Sequence, residues 1–204
     1  EAFPEKPDES DAYLLRHFSD HRSQLEAFRS ELGEKRRQAG AFLDKMIEMY
    51  ELDTYAMVGF TTMFSQNMAC IAMAKRLKAI HPETVVLMGG ANCESPMGDV
   101  LARNVPEVDY VVSGPGLVSF PRLVRNILDG KAEESHQIRG VLTSRKLAGA
   151  GEGRPREIGE ELDIAVDLPL DYDDYFAALD AKVPPSANIQ PKVMFETSRG
   201  CWWG

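Results

Sequence analysis

Hydrophobic and polar positions change period along the chain. From about Ser23 to Tyr50 apolar residues recur at helical spacing. Leu25, Phe28 and Leu32 form a stripe that Phe42, Leu43, Met46, Ile47 and Tyr50 continue. Gly33 and Gly40 interrupt this run and predict a break into two helices, while Glu34-Lys35-Arg36-Arg37 reads as a solvated face. Upstream, Ser10 is placed to cap a short helix over Asp11 to Phe18. After residue 54 the pattern alternates. Tyr55 to Phe60 reads as a buried strand, and Ser65 to Ile80 as a helix with Met68, Ile71, Ala72 and Leu77 inward, ended by Pro82. Thr84 to Met88 is continuously apolar, as a parallel strand covered on both faces should be. Ser95 and Pro96 open a helix with Met97, Val100 and Leu101 inward. Val108 to Val112 is a third strand. Phe120 to Leu128 follows as a helix with Leu123, Val124, Ile127 and Leu128 inward, stopped by Gly130. Gly140 to Thr143 closes the series as a short strand.

This βαβαβαβ order predicts an α/β fold with a doubly wound parallel sheet, Rossmann-like or flavodoxin-like. The first strands of such a sheet are not evident, so it is expected to be incomplete on its N-terminal side, with Tyr55 to Phe60 at an edge. That strand carries no charge to deter pairing, and the chain is expected to self-associate. The organisation expected is a helical segment at 1–54, the α/β domain at 55–145, a linker and acidic aromatic segment at 146–191, and the start of a further domain at 192–204. The linker is marked by Gly149, Gly151 and Gly153.

Composition narrows the function. A net charge of -9 over 204 residues leaves no large basic surface and argues against nucleic-acid binding. No apolar run reaches membrane-spanning length. Three widely spaced cysteines, Cys70, Cys93 and Cys201, fit a reducing cytoplasm better than a disulfide scaffold.

Ligands of parallel sheets sit beyond the carboxyl ends of the strands. Three loops there are unusual. Gly59-Phe60-Thr61-Thr62-Met63-Phe64-Ser65-Gln66-Asn67 mixes hydroxyls, amides and apolar groups before a helix, which suits a ligand with polar and flat apolar parts. The same residues also read as ordinary capping, with Ser65 as N-cap and Phe64 as staple. Gly89-Gly90-Ala91-Asn92-Cys93-Glu94-Ser95 and Ser113-Gly114-Pro115-Gly116 either let a ligand lie against backbone or make tight turns. At the C-terminal end, Lys192 to Glu196 has a strand's pattern and leads into Arg199-Gly200-Cys201. A thiol on such a turn suits a metal or cluster ligand.

Gly59-Phe60-Thr61-Thr62, Gly89-Gly90-Ala91-Asn92 and Asp109-Tyr110-Val111-Val112-Ser113-Gly114 resemble, in order and spacing, the later half of the cobalamin-binding domain of B12-dependent radical SAM proteins. Leu168 to Phe176 and the tail Glu196 to Gly204 resemble those radical SAM enzymes that methylate carbon in ribosomally made, modified peptides. The resemblance implies that Thr61, Thr62 and Ser65 line the pocket for the nucleotide tail of cobalamin. Gly89, Gly90 and Ala91 would pass close to that tail and the corrin, and Ser113, Gly114 and Gly116 would close the site. It implies that Cys201 is the first of three ligands to a [4Fe–4S] cluster, the others lying beyond Gly204, so the chain is expected to be a non-catalytic fragment. The parent enzyme would use S-adenosylmethionine and act on a peptide substrate. The third loop departs from the family's Gly-Glu-Gly-Glu pattern, reading Gly114-Pro115-Gly116-Leu117. A branched side chain at Gly90 is expected to weaken cobalamin binding more than it destabilises the sheet.

Two other classes remain open on the sequence: a non-enzymatic module for cobalamin or another flat cofactor, and a flavodoxin-like interaction domain without cofactor. Lesser candidates read as structural. His17 and His21 lack a third ligand, His81 ends a helix, and His136 lies in a polar loop. Cys70 is expected buried, Cys93 has no adjacent base, and Met63, Met68 and Met73 are expected in the core.

Overall fold

A computed structural model of the chain describes residues 12–13, 15–16, 22–149, 155–163, 165–166, 169–187 and 189–193. Ala12, Tyr13, Leu15 and Arg16 are helical, in line with the short first helix. Helix α1 then runs unbroken over Arg22–Met49, contrary to the break expected at Gly33 and Gly40. A glycine inside a helix costs only about 1 kcal/mol. Here Arg37 and Gln38 both bond the Glu34 carboxylate one turn away, supporting the helix just beyond Gly33. The inward stripe is narrower than its apolar pattern. Leu43 and Ile47 are buried, whereas Phe28, Phe42 and Tyr50 are exposed.

The sheet follows with order β1-β2-β3-β4, formed by Met57–Thr61, Val85–Gly89, Tyr110–Val112 and Val141–Leu142. The first three strands are parallel, with Gly59 opposite Leu87, Thr61 opposite Gly89 and Met88 opposite Val111. The crossovers are α2 (Asn67–Ile80) and α3 (Met97–Asn104). The fold is α/β with a mostly parallel open sheet, as the alternation predicted.

The fourth strand corrects that prediction, because β4 runs antiparallel to β3, pairing Val111 with Leu142 and Val112 with Val141. After β3 the chain descends through α4 (Ser119–Leu128), turns at Gly130 with φ 71, and passes through the single turn of α5 (Ala132–Ser135). Gly140 arrives beside the end of β3, where its carbonyl accepts from Ser113 N at 2.7 Å, and the strand runs back from there. Periodicity does not reveal whether a crossover traverses the layer once or twice.

Two clusters fill the faces. Val58, Val86, Met88 and Val111 pack with Ile71, Ala74 and Leu77 of α2 and Leu101 and Ala102 of α3. Leu87, Tyr110, Val112 and Val141 pack with Leu123 of α4 and Ile138. Each fully buried aliphatic side chain contributes roughly 1.5–3 kcal/mol. Several residues expected inward are exposed: Met97, Val100, Leu128 and Met68. In α3 the buried positions are Gly98, Leu101 and Ala102, so Met97 and Val100 fall outside that face. Leu128 is turned about 140° from Leu123 by the helical repeat. Met68 lies in the first turn of α2, before that helix reaches the core. Met63 is exposed and Met73 half-buried, so neither Met63 nor Met68 is a core residue; Cys70 is also only half-buried.

Beyond β4, α6 (Ser144–Leu147) is capped by Thr143, whose hydroxyl accepts from Lys146 N at 3.1 Å. By backbone proximity the chain divides into two units, Glu1–Glu161 and Leu162–Gly204. In the second, the acidic aromatic segment forms α7 (Asp173–Lys182). Lys192 and Val193 belong to no regular element, and the rest of the strand expected there lies outside the described residues.

Candidate functional site

The two sheet faces are covered unequally. Helices α2 and α3 lie over one face, and α4 lies over the β2–β4 side of the other. On that second face Gly59 and Thr61 of β1 remain exposed. The uncovered strip forms a cleft of about 420 Å³ at the carboxyl ends of β1, β2 and β3. Gly59, Thr61, Leu87, Gly89 and Val112 come from the strands, and Gly114, Gly116, Leu117, Phe120 and Pro121 from the third loop and the start of α4. The walls are mainly apolar, as small-molecule sites are.

Of the residues singled out in the sequence, Thr61, Gly89, Gly90, Gly114 and Gly116 line this cleft. The others are placed differently. Thr62 is fully buried. Its N–H donates to Gly89 O at 2.7 Å, its hydroxyl reaches the same carbonyl at 3.3 Å, and its own carbonyl accepts from Asn92 N at 3.3 Å. It joins the first loop to the second. Ser113 is the corresponding joint for the third loop: its hydroxyl accepts from Ser95 N at 2.9 Å and its carbonyl from Gly159 N at 2.7 Å. Ala91 is exposed in the short 3-10 turn Ala91–Cys93. Ser65 is exposed and caps nothing through its side chain; Gln66 caps instead, its Oε1 accepting from Met63 N at 2.8 Å. Phe64 does not staple the helix and is 86% exposed. Ser95 likewise makes no cap bond to the backbone of α3, and its hydroxyl donates to Asp99 Oδ2 at 2.9 Å. Cys201, with His17, His21, Trp202 and Trp203, lies outside the described residues.

The glycines divide into two groups. At Gly90, φ is 96 and an added Cβ would stand 2.5 Å from Thr62 O and 2.9 Å from Thr62 N. The fold itself demands glycine there, because a side chain at Gly90 would meet the Thr62 backbone whether or not a ligand is bound. Gly114 also has positive φ, at 77, but there the added Cβ would meet a side chain, Ile158 Cγ2, rather than backbone. By contrast, Cβ atoms at Gly59, Gly89 and Gly116 would meet their nearest neighbours at 3.8, 3.7 and 3.7 Å, ordinary contact distances. Nothing in the fold requires these three to lack a side chain. Their absence opens the cleft.

Gly59 stood in the sequence at the head of the first loop and Leu117 at the end of the third, neither with a site role, while Phe120 and Pro121 read only as the entry to a helix. Leu117, Phe120 and Pro121 enter the site through the return of α4 over the sheet, which leaves no local signal. The segment 155–161 was read across its start as linker, yet Ile158 and Gly159 pack on the third loop. An isolated Ile-Gly pair among charged residues is its only trace in the sequence.

Cys93 is fully buried beside Thr62, with Sγ 3.5 Å from Oγ1. Burial pushes its thiol above the ordinary 9.0, against a smaller lowering by the Thr62 hydroxyl. Burial also raises Cys70. Neither is a poised nucleophile. Among the described residues no group of three or more His, Cys, Asp or Glu is placed to hold a metal ion, and no helix is long and apolar enough to cross a membrane. No protein-family model matches the chain, and no curated protein matches it. The class these features define is a Rossmann-like α/β domain with a ligand-sized cleft at the carboxyl edge of its parallel strands.

Proposed function

We propose that the cleft holds the nucleotide tail of cobalamin, and that this chain is the cobalamin-binding part of a radical SAM enzyme resembling the peptide C-methyltransferases. The observation that supports the reading best is the set of three glycines, Gly59, Gly89 and Gly116, whose missing side chains the fold does not need. They leave room at the strand ends where a ligand of a parallel sheet belongs. The fit is with the tail rather than the whole cofactor: about 420 Å³ suits a flat heterocycle with its sugar, against Leu87 and Val112. The exposed Thr61 hydroxyl offers a polar contact at the rim. Cobalamin, when bound, supplies methyl-transfer chemistry. The chain's own residues bind the tail, orient it and exclude water from it. By resemblance alone, Cys201 is proposed as a ligand of the [4Fe–4S] cluster that cleaves S-adenosylmethionine in the same enzyme.

The test is a titration with hydroxocobalamin, followed by absorbance, on wild type and Gly59→Val. Valine suits a strand and has space at this position, so the melting temperature is expected to hold. Affinity is expected to fall about tenfold or more, since the side chain fills the cleft. A wild-type spectrum that does not change, with no cofactor retained after dialysis, removes the cobalamin reading. A flavin titration run alongside tests the alternative of another flat cofactor.

A further inference from the structure

Phe64 has a backbone conformation and an exposure that neither folding nor capping explains. Its φ is 53, in the left-handed region that bulky residues avoid. Its ring is 86% exposed, the most exposed large apolar side chain among the described residues. It contributes to neither core cluster. Yet the conformation is held from both sides. Asn92 Nδ2 donates to Phe64 O at 2.9 Å, and Gln66 fixes the preceding Met63 N. Both tethers belong to the first and second loops, whose ends nearest the strands line the cleft. Phe64 follows Thr61 by three residues, and Asn92 follows Gly90 by two; Thr61 and Gly90 both line the cavity. Strained, solvent-facing residues held by their surroundings concentrate at ligand clamps.

We propose that Phe64 is a stacking platform for the planar ligand of the adjoining cleft, and that Asn92 is the clasp that sets it. The inference rests on the reading of the cleft as a site for a flat ring system. An aromatic face offers such a ligand apolar contact at little cost in side-chain entropy. The Asn92 amide, by binding a main-chain carbonyl, holds the platform in place before the ligand arrives.

Phe64→Gly separates this role from a structural one, because glycine accepts positive φ without penalty. It is expected to melt at the same or a higher temperature than wild type while losing about tenfold in hydroxocobalamin affinity, measured by absorbance titration. Phe64→Trp is expected to retain affinity, and Asn92→Ala to lose several-fold. Wild type that binds hydroxocobalamin with Phe64→Gly binding equally well overturns the platform while leaving the cleft reading intact. Wild type that binds no cobalamin overturns both. A Phe64→Gly chain that binds normally but loses a concentration-dependent association, seen by sedimentation, assigns the ring to a protein contact and also overturns the proposal.

Discussion

At the scale of single residues, adjacent glycines carry opposite duties. Gly89 has ordinary space around it, while Gly90 is wedged with positive φ against the Thr62 backbone. Gly90→Ala is therefore expected to destabilise the fold by about 2–4 kcal/mol, from backbone strain plus a clash that no side-chain rotation relieves. Gly89→Ala should change stability by less than about 1 kcal/mol, since a strand interior tolerates alanine at least as well as glycine. Chemical denaturation of the two variants checks this directly. Equal losses would show that the approach of Thr62 to Gly90 does not set the two glycines apart. Asp109 shows a similar division between apparent and actual roles. It sits in a segment whose resemblance is to a cofactor-binding loop, but its carboxylate accepts from Val86 N at 2.7 Å and pairs with Lys78 at 2.7 Å. It ties the start of β3 to β2, away from the cleft.

At the scale of elements, one lysine makes several of the bonds that hold the stretch after the sheet. Lys146 Nζ donates to Ile138 O and Val141 O, each at 2.9 Å, and pairs with the Glu157 carboxylate. Both partners of this pair are largely sheltered, with 18% of each side chain exposed. The pair, with the bond from Arg139 Nε to Ile158 O at 3.1 Å, lays residues 155–161 against the third loop. Lys146→Met keeps the stem's length but removes all three interactions. It is expected to cost roughly 2–3 kcal/mol, because two carbonyls and a sheltered carboxylate each lose a charged donor. Hydrogen exchange should show protection lost first at Gly159 N, whose acceptor is Ser113 O. Undiminished protection there would show that Ser113 and Arg139 suffice to hold the segment.

At the scale of the whole molecule, the exposed features are an edge and a face. β1 is an outer strand of the sheet, and Met57–Thr61 carries no charge and no proline. Such an edge is a template for strand pairing. The chain is expected to self-associate through it, with an apparent mass that rises with concentration in sedimentation. Val58→Lys would bury a charge; Phe60→Lys, at a half-buried position that packs beside the core and the cleft, should lower the association, with its melting temperature followed to separate this from unfolding. A wild-type monomer at every concentration would show that the edge is protected. Pairing at the edge would use the outer backbone of β1, whereas the cleft is lined by Gly59, Phe60 and Thr61 toward the carboxyl end of the same strand.

The sequence alone determined the class of fold and the location of the loops, because both follow from periodicity within short windows. Runs such as Val85-Val86-Leu87-Met88 and the spacing of Ile71, Ala72 and Leu77 announce strand and helix without reference to anything distant. Three small-residue loops after three parallel strands are enough to bring Thr61, Gly89, Gly90, Gly114 and Gly116 to one cleft. Only the tertiary structure decided which glycines serve the fold and which leave room, since that depends on Thr62 approaching Gly90 and Ile158 approaching Gly114 from elsewhere in the chain. It also decided that β4 runs backwards, that Thr62 and Ser113 are joints between loops, and that Phe64 faces solvent. Each of these is set by contacts between residues far apart in sequence. A local pattern records which side of an element is apolar, but not which neighbour will cover it.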